Sequence, residues 1–100
     1  MKRFRVDTSP TAAGDLDAIY IFIAERSPQN AELVQAAFLD VLDRLAEVPT
    51  LGHVHLEIDD DSIRFVPFKS FEAAYEFVDG TVRVLRVIHS ARHYSAIRWR

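Results

Sequence analysis

Asp79-Gly80 stands between two runs of alternating apolar residues, 71–78 and 81–89, and this dipeptide constrains the chain more than any other feature. A two-residue hairpin turn needs positive φ at both central positions, which Asp-Gly adopts readily and most other pairs do not. A turn of that length sets the register directly. Phe77 faces Val82, Tyr75 faces Val84, Ala73 faces Arg86 and Phe71 faces Ile88. On the opposite face Glu76 lies across from Arg83, an opposite-charge pair consistent with that register. One face of the ribbon is therefore rich in aromatics and needs a covering layer. Arg86 is the anomaly on it. An arginine there either snorkels at the sheet edge or serves a site.

The covering layer is legible upstream. Ser9-Pro10 and Ser27-Pro28 each combine a helix N-cap with a proline suited to the first helical position. After the first, Ala12, Leu16, Ile19, Tyr20 and Ile23 recur at spacings of three and four. After the second, Val34, Ala37, Phe38, Val41, Leu42 and Leu45 do the same, and Pro49 and Gly52 end the pattern. The short joint at Arg26-Ser27 makes the pair an antiparallel helix hairpin. Residues 3–7 alternate as a short strand with Phe4 and Val6 inward. Residues 50–61 read as a polar connection, and 63–68 as a further strand. The order is strand, helix, helix and three strands: one α+β domain over residues 1–100, with a helix hairpin on a mostly antiparallel sheet.

Of the 100 residues, 49% are hydrophobic and 27% charged, and none is cysteine. Disulfides, thiolate catalysis and zinc–thiolate sites are thereby excluded. The longest apolar run, Ala18–Ala24, is too short to cross a bilayer, and no secretory apolar region follows the basic N-terminus, so the expected location is the cytoplasm. The net charge of −3 conceals a division along the sequence. Residues 1–6 carry +3, residues 7–61 carry −10, and residues 62–100 carry +4. Such a domain presents two solvated faces of opposite sign, or a basic face for an acidic partner or a phosphate backbone.

Taken together, Ala12-x-x-Asp15-Leu16-x-x-Ile19-x-x-x-Ile23, Pro49-x-x-Gly52, Arg64, Tyr75 and Val84-x-Arg86-Val87-Ile88-His89-x-x-Arg92 resemble the RelE/ParE superfamily, toxins of bacterial type II toxin–antitoxin modules. The resemblance covers nearly the whole chain in the right order, and the arginine–valine–isoleucine–histidine strand is its most specific element. The segment from Arg86 to Arg92 is more similar to the ParE branch. The sequence departs from relatives at His93, where aspartate is usual, and at Phe71, where tyrosine often stands. The resemblance implies a toxin that inhibits DNA gyrase by binding. It further implies no cofactor, and neutralisation by a ParD-like antitoxin whose C-terminal segment folds over the toxin. The alternative it carries is the RelE-like activity, ribosome-dependent cleavage of messenger RNA.

Cleavage through a 2′-hydroxyl needs a base, an acid for the leaving oxygen and cationic donors for the phosphate. For that alternative the candidates are Arg64, Arg86, His89 and Tyr94. His89 also fits a purely structural role, on the face opposite the aromatics. His53, His55 and Glu57 alternate and share one face if extended, but nothing else completes a metal site. Two features count against cleavage. No lysine or arginine lies between Arg44 and Arg64, and the overall charge is negative. For the binding reading, the candidate contact residues are Arg64, Arg86, Arg92, Tyr94 and Trp99. Phe22 and Leu39 join them, since both lie off the core stripes of their helices.

Overall fold

A computed structural model describes residues 2–100 of the chain. Strand β1 (Arg5–Thr8) leads into helices α1 (Pro10–Ala24) and α2 (Pro28–Glu47). Strands β2 (His53–Val54), β3 (Arg64–Phe68), β4 (Phe71–Val78) and β5 (Thr81–His89) come next, and a 3₁₀ turn (Tyr94–Ala96) ends the regular structure. The sheet order is β1-β5-β4-β3-β2. β1 runs parallel to β5, and every other pairing is antiparallel. This is the expected α+β arrangement with one small addition. β2, inside the segment read as a connection, pairs His53 with Phe65 and Val54 with Arg64.

Both helices begin where the Ser-Pro pairs place them. Ser9 Oγ accepts the Ala12 N–H at 3.0 Å, and Ser27 Oγ accepts the Asn30 N–H at 3.2 Å. Ser9 has a second function, because its N–H donates to the Val84 carbonyl and its hydroxyl to the Leu85 carbonyl. The cap thus ties the start of α1 to β5. The helix stripes meet the sheet in one cluster: Ala12, Val34, Phe38, Val41 and Leu45 pack on Val66, Phe68, Ala73, Tyr75, Val82, Val84 and Val87. Tyr20 is spent differently, donating its hydroxyl to Glu32 across the helix hairpin.

Asp79 and Gly80 have φ of 52° and 76°, the two-residue turn that the sequence demands. From the turn outward, Phe77–Val82, Glu76–Arg83 and Tyr75–Val84 pair as expected. Beyond them a bulge at Ala74/Tyr75 shifts the register, so Ala74 faces Arg86, Ala73 faces Val87, Glu72 faces Ile88 and Phe71 faces His89. Two residues of β5, Leu85 and Arg86, therefore occupy the space of one partner. The expected pairings Ala73–Arg86 and Phe71–Ile88 are each displaced by one position. His89 moves with them to stand beside Phe71, with ring centroids 5.5 Å apart, instead of on the face opposite the aromatics.

The second face of the sheet is buried too. Phe65, Ala74, Leu85 and Ile88 form a cluster with Ile63 and Tyr94, closed by Ile58, Ile97 and Trp99. Ile58 of the 50–61 connection and the C-terminal residues, with the expected contact residues Tyr94 and Trp99 among them, help to cover this second core. The physical reason is in the sheet. Consecutive apolar pairs, Val84-Leu85 and Val87-Ile88, present side chains to both faces, so both need shielding from water.

Candidate functional site

Where α1, α2 and the β3–β4 turn meet, the helix layer does not fully cover the sheet. A groove of about 640 Å³ opens there, lined mainly by Ile19, Phe22, Ile23, Leu33, Val34 and Phe71, with Lys69 and His89 at the sheet end. The helices reach the core through one stripe, but each carries a second apolar column beside it. Phe22 is 59% exposed and Leu33 54%. Arg26 lies over the Phe22 ring at 4.1 Å, extending the apolar wall with its stem and adding positive charge at the rim. Lys69 has φ of 54°, a conformation uncommon for a residue with a side chain, and so sits on a tight turn at the groove's edge. A second apolar column beside the core stripe is the sequence signal for Leu33. Phe22 and Leu39 lie off the core stripes and are exposed, Leu39 to 54%, but Leu39 does not line the groove.

The arginines read as site residues have different surroundings. Arg86 is largely enclosed. Its Nε and Nη2 fork onto Asp15 Oδ2 and Oδ1 at 2.8 and 3.1 Å, and its Nη1 donates to the Arg98 carbonyl at 3.0 Å. Hydrogen bonding to Asp15 pushes its pKa further up, so the charge is permanent. Arg64 donates to the Gly52 carbonyl at 2.8 Å, pinning the end of the α2–β2 connection to β3. Arg92 is exposed and forms no ion pair among the described residues.

Tyr94 is not a surface docking residue: it is 2% exposed. Its ring lies 4.1 Å from His55 and 5.2 Å from Phe65, centroid to centroid, and its hydroxyl donates to the buried Glu72 carboxylate. Burial first, then Glu72, pushes the phenol pKa well up. Trp99 is half-buried against Phe65, with centroids 5.1 Å apart. Tyr94 and Trp99 belong to the tail's internal packing because the second sheet face would otherwise meet water. The four residues named for cleavage are therefore not one constellation. Tyr94 lies in the second core, Arg86 on Asp15, Arg64 on Gly52, and His89 at the groove, its Nδ1 accepting the Ala91 N–H at 3.1 Å.

His53 and His55 share the edge beside Glu72, with His53 Nε2 3.7 Å from Glu72 Oε2, and His55 Nδ1 is buried without a hydrogen-bond partner. Among the described residues no three metal-ligating side chains converge. No described helix is long and apolar enough to cross a membrane.

A helix hairpin laid on a five-stranded sheet, open at one end of the layer, is the fold of the RelE/ParE-like toxins. The profile described as "ParE toxin of type II toxin-antitoxin system, parDE" matches residues 6–94, and the chain belongs to that family. Among solved structures, a chain of the chromosomal ParDE system from P. aeruginosa is similar, with a TM-score of 0.73 and 20% identity, over 87% of this chain and 96% of that one. A chain of the RelBE2 toxin–antitoxin complex from Mycobacterium tuberculosis is similar with a TM-score of 0.62 and 21% identity, over 87% of this chain and 98% of that one. No curated protein matches the sequence significantly.

Proposed function

We propose that the protein is the toxin of a type II pair, that it acts in the cytoplasm by binding DNA gyrase rather than by catalysis, and that a ParD-like antitoxin neutralises it. The observation that carries the antitoxin half is the open groove, whose apolar walls fit one face of an amphipathic helix. Phe22 and Leu33 are its anchors, and the cations Lys69 and Arg26 at the rim favour acidic residues on the polar face of the occupant. Burial of that exposed apolar surface drives the proposed association.

The ParE family membership supports gyrase as the target. The dispersal of Arg64, Arg86, His89 and Tyr94 onto separate structural partners supports action by binding. Exposed Arg92 and Leu39 remain proposed contacts, whereas Arg64, Arg86, Tyr94 and Trp99 serve the interface by holding its scaffold.

The deciding experiment expresses the protein without an antitoxin and tracks two products. Gyrase-dependent DNA breaks with an SOS response, and translating transcripts left intact, are expected. Transcripts cut at ribosomal positions without DNA damage would overturn the gyrase reading.

A further inference from the structure

We infer that the concavity between β5 and the C-terminal segment binds the phosphate of a nucleotide or nucleic-acid strand. It has a volume of about 210 Å³, and four of its lining residues are arginines, Arg83, Arg86, Arg98 and Arg100. Thr11 and Trp99 also line it, and among the described residues no carboxylate-bearing residue does. The bulge in β5 brings Arg86 to this place, and the tail crosses above it with Arg98 and Arg100 on either side of Trp99.

The neighbouring carboxylates are already engaged. Asp15 takes Arg86, while Glu76 and Asp60 take Arg100. The in-register neighbours of Arg83 are Asp7 on β1 and Glu76 on β4. Asp7 is held by Arg5, and Glu76 by Arg100. Arg83 and Arg98, both exposed, form no ion pair among the described residues. With Arg86 and Arg100 neutralised inside the chain, Arg83 and Arg98 are the two lining arginines left to take an anion at the hollow. A phosphate suits the hollow better than a carboxylate. Donors reach it from the strand and from the tail, and tetrahedral oxygens accept from several directions where a planar carboxylate accepts one fork. The indole wall beside the arginines suits the sugar or base attached to that phosphate. The inference does not depend on gyrase being the target.

Trp99, the only tryptophan, is a built-in reporter. Its fluorescence in the full chain is titrated with inorganic pyrophosphate, a mononucleotide and a short single-stranded oligonucleotide. A saturable change is expected with the nucleotide probes. The combined substitution Arg83→Gln with Arg98→Gln, at two exposed side chains outside the internal ion pairs, is expected to weaken it about tenfold or more and to reduce the salt slope by about two. Arg44→Gln, at an exposed arginine of α2 that lines neither the hollow nor the groove, leaves it unchanged. A mononucleotide binding as tightly as the oligonucleotide identifies a free nucleotide as the ligand, and preference for the oligonucleotide identifies a strand. The inference is overturned by non-saturable titrations, by equal affinity in the double variant, or by a glutamate-rich peptide that binds more tightly than either nucleotide probe.

Discussion

Asp15 on α1 and Arg86 on β5 are joined by a two-pronged ion pair, and Asp15 Oδ2 also accepts the Val87 N–H at 3.0 Å. β1 pairs with β5 only as far as Val84, so the outer edge of β5 beyond that point has no strand neighbour among the described residues. Ser9 and then Asp15 take over as hydrogen-bond partners along that edge. One carboxylate on the helix thus continues a sheet ladder, neutralises the arginine displaced by the bulge and, through the Arg98 carbonyl, anchors the tail.

Replacing Asp15 with alanine strands both a guanidinium and a backbone donor. With both side chains about four-fifths buried, Asp15→Ala is expected to cost about 2–3 kcal/mol, while Asp15→Asn, which keeps an acceptor for Val87, costs less. Urea denaturation of the two variants checks the order. Equal midpoints for Asp15→Ala and the parent chain would remove the pair from the stability of the fold.

The bulge marks the limit of what the sequence discloses. Asp79-Gly80 specifies a turn, and the turn specifies pairing as far as Tyr75–Val84, because local backbone geometry carries that information. Past Val84 the register answers to tertiary demand. Val84 and Val87 are needed in the first core and Leu85 and Ile88 in the second, and strict alternation cannot put residues three apart on one face. The helix hairpin was legible because its caps and 3.6-residue period are local. The cover of the second sheet face was not, since Ile58, Ile97 and Trp99 lie in irregular segments without a period. The groove was half-legible, Phe22 from its place off the core stripe and Lys69 only from the folded turn.

Tyr75, fully buried, joins the connection after α2 to the sheet. Its hydroxyl accepts the Gly52 N–H and donates to the Pro49 carbonyl, both at 2.8 Å. Tyr75→Phe leaves those two backbone groups without a partner and is expected to cost about 1–3 kcal/mol. Gly52→Ala strikes the same joint, since a Cβ there would lie 2.7 Å from the Tyr75 ring and 2.8 Å from the Phe65 carbonyl oxygen. Thermal melts should place both variants below the parent, and an unshifted Gly52→Ala midpoint would show that the connection can move aside.

The same phenol and that of Tyr94 predict an alkaline limit. Burial pushes the pKa of Tyr75 up, and burial with Glu72 pushes that of Tyr94 up. For an acid with a raised folded pKa, the stabilisation is complete below the unfolded pKa of about 10 and is lost as the pH rises beyond it. Denaturation midpoints should fall above about pH 10. The fall should be shallower in Tyr75→Phe, where one of the two groups no longer titrates. Parallel profiles would exclude Tyr75 from the effect.

The C-terminal segment is structural before it is anything else. Tyr94→Ala opens the second core and is expected to cost about 3–5 kcal/mol. Arg100→Ala removes only partly exposed ion pairs to Glu76 and Asp60, worth about 1 kcal/mol or less. Deleting residues 94–100 uncovers Phe65, Leu85 and Ile88. The truncated chain should bind a hydrophobic dye and melt with reduced cooperativity. A sharp, parent-like melt would mean that the segment is dispensable for packing.

Phe22 separates binding from stability. Its ring is mostly exposed on the groove wall, in contact with Arg26 and outside the two cores. Phe22→Asp is therefore expected to leave the folding free energy within about 0.5 kcal/mol of the parent. The same change puts a carboxylate where an antitoxin's apolar face would seat, and burying an unpaired charge is strongly unfavourable. Affinity for the cognate antitoxin, measured by calorimetry on the separated partners, should drop at least tenfold, and co-expression should no longer protect the cell. Lys69→Glu offers an independent reading, since it reverses charge at the rim without touching the apolar wall. A weaker effect, largest at low salt, is expected there. An antitoxin that binds Phe22→Asp as tightly as the parent chain must dock elsewhere on the toxin.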